Sequence, residues 1–398
     1  MNPMLEYDVI LFGGGPANLM TASCLMDSGL RVALFEQNSQ IGKKFLLAGK
    51  SGLNLSMDFT FDRFVNQYYR DSEFISIALK LFTPQQQRDY FDKTLGISTY
   101  VGSAGKVFPE VSAVQFLKIW LSHLKDKGLQ IFTHHQWLSG DQNKHQVYNI
   151  KTKTHIKVTS HISVFGFGGN SWRETGSNAN WVIPFRNCGV EVNLFQPSNS
   201  GVKCELDEYI FNKWNGTFIK NIVLKYEDLQ FTGEIRIGDH QLEGSPIYHL
   251  NHHIREALKK GNVRVYIDFK PQWSQLELEQ KWNSKFSLSK NIKQLKIVNI
   301  YPSLFKSLNS NSHPLESIKN FPIVITGYEE LDKAISTIGG VSLNEVNSSL
   351  NLLKQPNWFI NGEMLDWDAP TGGYLLSGCF ALGKTIASQI IRASKLKS

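Results

Sequence analysis

At 398 residues and 41% hydrophobic content, the chain is long enough for two or three domains and has the apolar share of a globular protein. A net charge of +7, from 42 basic and 35 acidic residues, admits phosphorylated ligands, nucleic acid or membrane surfaces as partners. Four scattered cysteines, Cys24, Cys188, Cys204 and Cys379, show no CxxC and no metal spacing, which excludes a disulfide framework and fits a reducing compartment. Met1–Tyr7 lacks the basic and apolar regions of a signal peptide, and no repeat, low-complexity tract or membrane span is read. A cytoplasmic protein is expected.

Asp8–Glu36, DVILFGGGPANLMTASCLMDSGLRVALFE, reads as strand, glycine turn, helix and second strand. Val9–Phe12 is a short apolar run suited to a strand buried on both faces. Gly13, Gly14 and Gly15 permit a tight turn and close approach of the backbone to a pyrophosphate. A helix from Pro16 to about Ser28 aims its free N–H groups and positive dipole end there. Arg31–Phe35 returns as a parallel strand, and Glu36 stands 21 residues beyond Gly15, the spacing of an acid that binds ribose hydroxyls. Asn18 replaces the third glycine of the fingerprint, which predicts a helix set slightly further from its strand. The unit reads as a dinucleotide site.

Gln37–Ser56 is a polar loop with Gly42, Gly49, Gly52, Lys43, Lys44, Ser51 and Asn54, placed to wrap the rest of a dinucleotide. Phe59–Leu95 reads as mainly helical, Gly102–Pro109 as a turn-rich entry to a helix over Ala113–Lys127, and Leu129–Thr133 as a strand followed by Trp137. Gln146–His155 reads as a hairpin and His161–Phe165 as a further strand. The cluster Gly166, Gly168 and Gly169 follows, read as closing a turn against the first site rather than as a second nucleotide site. Val190 to about Asn320 changes texture to short alternating strands. There Ser245 is predicted to cap a helix with Pro246 at its first position. His249 and His253 on that helix have a spacing that could ligate a metal, but no acidic partner motif accompanies them, and no metal is expected. The basic run Lys281, Lys285, Lys290, Lys293 and Lys296 sits on a segment that looks helical and reads first as a solvated face, with a phosphate or RNA contact as the alternative. In the tail, Lys333–Val341 reads as strand then turn, Trp358–Asn361 as a short strand running into Gly362 and Glu363. Thr371, Gly372 and Gly373 open an apolar helix from Tyr374 to about Ile391, whose start suits negative charge.

The blocks AGKSGLNLS, GKVFP, GGNSWRETGS, EGSPIY, AISTIGGV and GEMLDWDAPTGGYLLSGCFALGK resemble the BaiN-like family of FAD-dependent oxidoreductases, which includes aminoacetone oxidases and bile-acid enone reductases. The resemblance spans nearly the whole chain and is nearest to a branch whose members mostly lack an assigned substrate. It implies an α/β fold, a Rossmann-like FAD-binding domain with an inserted β-barrel and helical domain. The expected divisions are 1–190 and 321–398 for the FAD-binding domain and 191–320 for the insertion.

By the same resemblance, Gly13, Gly15, Pro16, Ala17 and Asn18 line the pyrophosphate turn, and Glu36 and Gln37 hold the adenosine ribose. Gly42, Lys43 and the loop with Gly49, Ser51, Gly52 and Asn54 run along the cofactor. Trp137 lies near the adenine, Gly168 and Gly169 close against the cofactor, Gly362 and Glu363 meet the ribityl chain, and Gly372, Gly373, Tyr374 and Leu375 face the pyrimidine end of the ring. The loop GKSGLN departs from the more common GGGRCN. The implied activity is non-covalent FAD chemistry, a two-electron transfer on an activated double bond, amine or hydroxyl of a small molecule, with NAD(P)H admitted as electron donor. Candidates for acid or base are Tyr374, Glu243 or a histidine of the middle segment, with none singled out. The alternatives are an FAD-dependent RNA-modifying enzyme and an FAD-binding redox sensor. Neither a membrane nor nucleic acid is the expected partner, and oligomeric state is not legible.

Overall fold

The computed structural model describes residues 5–69, 72–308 and 313–395, apart from the side chains of Ser51 and Ser72. Part of the stretch read for a leader, residues 1–4, lies outside them. The chain divides into two compact units, one of residues 1–196 with 335–398 and one of residues 197–334.

The first unit is built on a seven-stranded sheet. Gln130–Phe132, Val32–Phe35, Leu5–Phe12 and Thr154–Phe165 run parallel in that order, and Trp358–Ile360 pairs parallel with the end of Thr154–Phe165. Val32–Phe35 is buried at every residue, as an apolar run in a covered parallel sheet requires. The first half of Thr154–Phe165 also pairs antiparallel with Lys144–Asn149, which pairs in turn with His135–Asp141. The hairpin therefore begins earlier than the sequence pattern placed it. Trp137 lies inside its first arm, and the expected final strand is the end of one twelve-residue strand.

Two helices cross on this sheet. Pro16–Leu25 starts at the glycine turn, and Tyr374–Lys395 packs along it. A Cβ on Gly383 would lie 2.3 Å from the Ala17 carbonyl, so glycine is what lets the two backbones meet. Thr21 Oγ1 donates to the Gly383 carbonyl at 3.1 Å at the same crossing. The last helix is long and apolar enough to span a bilayer, yet 67% of its most apolar window is buried in this packing. Burial explains its composition.

Lys106–Pro109, read as a turn, is the middle strand of a small sheet with Ser56–Met57 and Thr99–Val101. Lys333–Val341 holds a fully buried strand, Ser336–Val341, in which Gly340 has φ +114 because a Cβ there would meet the Met364 carbonyl at 2.5 Å.

The second unit is a closed six-stranded barrel in the order Val202–Cys204, Gln241–Glu243, Leu229–Ile237, Phe218–Tyr226, Val263–Asp268 and Phe321–Tyr328. Phe321–Tyr328 closes it, so the texture change near 320 falls within a barrel strand, and the return comes at Ile335. Ser245–Leu258 covers the barrel with Ile247, Leu250 and Ile254. Its cap is Gly244 at φ +127, ψ 169, and Ser245 is already helical, so the helix starts one residue earlier than the Ser245 side chain predicts. A Cβ on Gly244 would strike the Glu234 carbonyl at 2.3 Å, so backbone crowding outweighs the hydroxyl's capping preference. The lysine run is likewise not one helix. Gln275–Lys281 and Leu288–Gln294 are separate short helices, and Lys281, Lys290 and Lys296 leave in different settings.

The fold class is therefore α/β: a Rossmann-like unit joined to a barrel with helices.

Candidate functional site

A cleft of about 120 Å³ opens over the carboxyl ends of the parallel strands in the first unit. Its floor is Gly13–Ala17. Gly13 takes φ +97, and a Cβ there would lie 2.4 Å from the Gly166 carbonyl. Glycine is required because the turn after the first strand touches the turn after Thr154–Phe165.

Glu36, at the tip of the second strand, is 8% exposed and points back at this turn. Its Oε2 accepts from Gly14 N at 2.8 Å, and its Oε1 accepts from Asn38 N at 2.8 Å and Asn38 Nδ2 at 2.9 Å. Burial pushes its carboxyl above the ordinary value, against the pull of the Asn38 and Gly14 donors and of Lys43. Glu36 thus sets the shape of the glycine turn as well as offering acceptors to whatever lies on it.

Two lysines supply positive charge. Lys43 Nζ donates to Asn38 Oδ1 at 3.2 Å, and Lys44 Nζ bridges Glu363 Oε2 at 3.2 Å and Ser171 Oγ at 3.0 Å. The Lys44–Glu363 pair ties the loop after the second strand to the tail of the chain, 319 residues on. Gly362 has φ +64, and a Cβ there would meet Ala17 Cβ at 2.9 Å, which brings Glu363 beside the helix start.

The cleft gathers Gly13, Gly15, Pro16, Ala17, Glu36, Gln37, Gly42, Lys43, Trp137, Gly168, Gly362 and Glu363 from the sequence expectation. The others lie off it. Asn18 is fully buried beneath the turn, its Nδ2 donating to the Phe12 and Gly13 carbonyls at 2.9 and 3.0 Å while its Oδ1 accepts from Asn361 Nδ2 at 3.0 Å. It clamps helix to strand where a fingerprint glycine would only allow approach, so it does not face the cleft. Gly169 packs on Thr337, whose Oγ1 would lie 2.1 Å from an added Cβ.

Gly49 packs on Ala113, and Gly52 sits at φ +116 against Phe108; the side chain of Ser51 lies outside the described residues. Asn54 Oδ1 is buried with no partner. Gly373, at φ +88, lies on the Leu55–Ser56 backbone, where a Cβ would meet Ser56 N at 2.4 Å, and Gly372 lies near Met57 and the Tyr374 ring. The glycine at 373 is thus explained by helix-to-strand packing, and a bulky replacement would displace Ser56. Tyr374 is turned into the core, 4.6 Å from Phe64 ring to ring, and burial pushes its hydroxyl up to about 12. Leu375 packs against the same core. Glu243 is engaged by Arg236. Neither Tyr374 nor Glu243 stands ready as an acid or base. His249 Nδ1 is satisfied by the Ser245 carbonyl at 2.8 Å, and the His253 ring lies 5.6 Å from Phe231.

Sequence reasoning missed one wall of the cleft. Phe167, Thr175, Gly176, Ser177, Asn178, Asn180 and Trp181 line it, together with Asn38, Gln40, His135 and Asn361. Asn38 Nδ2 and Gln37 Nε2 hold the wall in place by donating to the Thr175 and Gly176 carbonyls at 3.0 and 2.8 Å. Ser177 Oγ, Trp181 Nε1 and Asn361 Oδ1 are buried there without hydrogen-bond partners. Buried polar atoms are nearly always satisfied, and three in one cleft mark a place that a polar ligand completes. The signal for this wall was the irregular polar stretch GGNSWRETGSNANW, which has neither helical nor strand period.

A family model described as "HI0933-like protein Rossmann domain" matches residues 7–389. The chain is 23% identical over 408 aligned positions to the "3-dehydro-bile acid delta(4,6)-reductase" of Clostridium scindens, an alignment covering 94% of this chain and 96% of that protein. Among solved structures it superposes on a 3-ketosteroid-delta4-(5alpha)-dehydrogenase from Rhodococcus jostii RHA1 with a TM-score of 0.54 at 11% identity, covering 98% of each chain. A 3-ketosteroid delta1-dehydrogenase from Sterolibacterium denitrificans gives 0.53 at 12% identity, over 98% of this chain and all of that one. At such identities the structural likeness speaks for the fold alone.

Proposed function

The chain belongs to the HI0933-like protein Rossmann-domain family, and we propose that within it the chain is an FAD-dependent oxidoreductase acting on an activated carbon–carbon double bond of a small organic molecule. The observation that carries the reading is the cleft over the parallel strands. There a glycine turn, a ribose-type acid and three unsatisfied buried polar atoms converge, a set that fits a dinucleotide with a pyrophosphate at its middle.

Gly13, Gly15, Pro16 and Ala17 would hold the pyrophosphate against the free N–H groups of the first helix, and Glu36 would accept from the adenosine ribose. Gln37, Gly42, Lys43 and Trp137 would flank that half, with Ser177 and Trp181 donating to it. Gly362 and Glu363 would meet the ribityl chain. Asn54 and the start of the helix at Tyr374 would lie toward the ring, with Gly372, Gly373 and Leu375 as its backbone frame. Lys44, which lines the cleft between Glu363 and Ser171, would keep positive charge beside the helix start. FAD, when bound, would supply the two-electron transfer. The double-bond substrate follows the reductase named above; amines and hydroxyls stay within the same chemistry, and NAD(P)H is the proposed electron donor.

The test is anaerobic. NADH or NADPH is expected to bleach the yellow absorbance of the purified protein, and an α,β-unsaturated ketone is expected to restore it within seconds to minutes. If neither nucleotide bleaches it, and a chemically reduced sample is reoxidised only by oxygen, the reductase reading fails.

A further inference from the structure

The second unit carries a charge arrangement that the proposed chemistry does not use. Lys270 is 7% exposed, and among the described residues no carboxylate lies within ion-pair distance of its ammonium. Its Nζ has only the Lys296 carbonyl at 3.4 Å and the face of Trp273, 4.6 Å from the ring centroid. Lys281 Nζ stands over the same indole at 5.1 Å. Asp268, two residues before it, is occupied elsewhere. Its Oδ1 accepts from the Lys270 backbone N–H at 2.9 Å, and its Oδ2 is paired with Lys319 at 2.7 Å and Lys225 at 3.7 Å. Glu277 is likewise committed, capping Ser274 through Oε2 at 2.7 and 2.9 Å.

Charged side chains are rarely buried unless paired, because an unpaired one keeps its desolvation cost. Cation–π contact with one indole offsets only part of that cost. Burial and the neighbouring Lys296 lower the Lys270 pKa, which registers the same crowding of like charge. Exposed Lys281 and Lys296 flank Lys270, so an anion can reach it from solvent. All five lysines of the run read as a solvated face are exposed, and Lys281 also stands over the Trp273 indole.

We infer that the Lys270–Trp273–Lys281 cluster is a binding site for a phosphate-bearing small ligand, with the phosphate seated against the two ammonium groups. Two ammonium groups over one indole, that of Lys270 with no carboxylate beside it, favour a multiply charged anion, and charge-assisted hydrogen bonds from lysine to phosphate oxygens are the strong kind. Trp273 offers an aromatic surface to any planar group the phosphate carries. The site stands independently of what the first unit binds.

The experiment is calorimetric titration of the purified protein with its own cofactor in place, using inorganic phosphate, pyrophosphate, AMP and adenosine in turn. Absorbance is followed throughout so that any displaced flavin is seen. Phosphate and pyrophosphate are expected to bind with a Kd near or below about 1 mM without releasing cofactor, and adenosine is not. AMP tighter than phosphate would assign the indole a stacking role; AMP equal to phosphate would assign the site to the phosphate group alone. Lys270→Met is expected to weaken binding at least about tenfold, as the loss of a hydrogen bond between charged groups requires. It should also melt higher than the parent in phosphate-free buffer. Lys281→Ala, at an exposed position, should weaken binding with no change in melting temperature, which keeps the test valid if the buried variant misfolds. Unchanged phosphate affinity in both variants would overturn the inference. So would binding of an oligoribonucleotide that strengthens with length and is not displaced by phosphate, which would make the patch a nucleic-acid surface.

Discussion

Replacing Glu36 with alanine is expected to weaken FAD binding about ten- to a hundredfold, the equivalent of roughly 1.5–3 kcal/mol for hydrogen bonds to a charged group. Two losses combine. The carboxylate is the acceptor at the tip of the second strand, and it also holds Gly14 N and both donors of Asn38. Asn38 in turn fixes the far wall through the Thr175 carbonyl. Without Glu36 the glycine turn and the wall at 175–181 lose their common anchor. Glu36→Gln keeps one acceptor oxygen and should fall between the parent and alanine. Quenching of FAD fluorescence on titration into apoprotein reads both, and equal affinity in parent and alanine variant would remove Glu36 from the site.

The second large effect is on stability and lies at His145. The ring is 2% exposed, wedged 4.9 Å from Phe12 and 5.6 Å from Trp358, centroid to centroid. Trp137 Nε1 donates to Nδ1 at 3.3 Å, which puts the imidazole proton on Nε2, where it donates to Ser163 Oγ at 2.7 Å. Burial drives its pKa down to about 3. The folded ring therefore stays neutral where the unfolded one, near 6.5, takes up a proton. The unfolded state binds more protons throughout that window. Stability is full above about 6.5 and falls by up to ~1.4 kcal/mol per pH unit as pH drops toward 3, where the loss levels off. His145→Gln retains a donor and an acceptor but does not titrate. Its urea midpoint should fall less between about pH 6.5 and 4.5, by roughly 2–3 kcal/mol in stability difference. A parallel decline in parent and variant would show that the acid lability comes from other groups.

The parts of this protein legible in its sequence are those whose causes are local. Val9–Phe12, the three glycines and Glu36 fall within one short stretch, and the physics of a strand, a tight turn and a helix dipole reads directly from their spacing. Other features have distant causes. Asn18 departs from the glycine fingerprint because Asn361, 343 residues later, donates to its side-chain oxygen. Gly373 has Ser56 as its reason, and Gly383 has Ala17. No window of sequence contains both partners.

Beyond the glycines at 166–169, the wall at Thr175–Trp181 escaped because the backbone around it is irregular, with Trp172 and Ala179 at positive φ, and periodicity carries no signal there. Barrel closure by Phe321–Tyr328 escaped because the strand's texture resembles that of the returning segment, and only its pairing with Val202–Cys204 and Val263–Asp268 assigns it.

The proposed function requires that the cleft over the parallel strands hold FAD as the redox cofactor. The most direct measurement is to denature the purified protein, separate the released nucleotide by chromatography and quantify it against protein. Close to one FAD per chain is expected, released without covalent attachment, with lower occupancy in Glu36→Ala. Recovery of FMN alone, or a colourless protein that added FAD does not turn yellow, would contradict it.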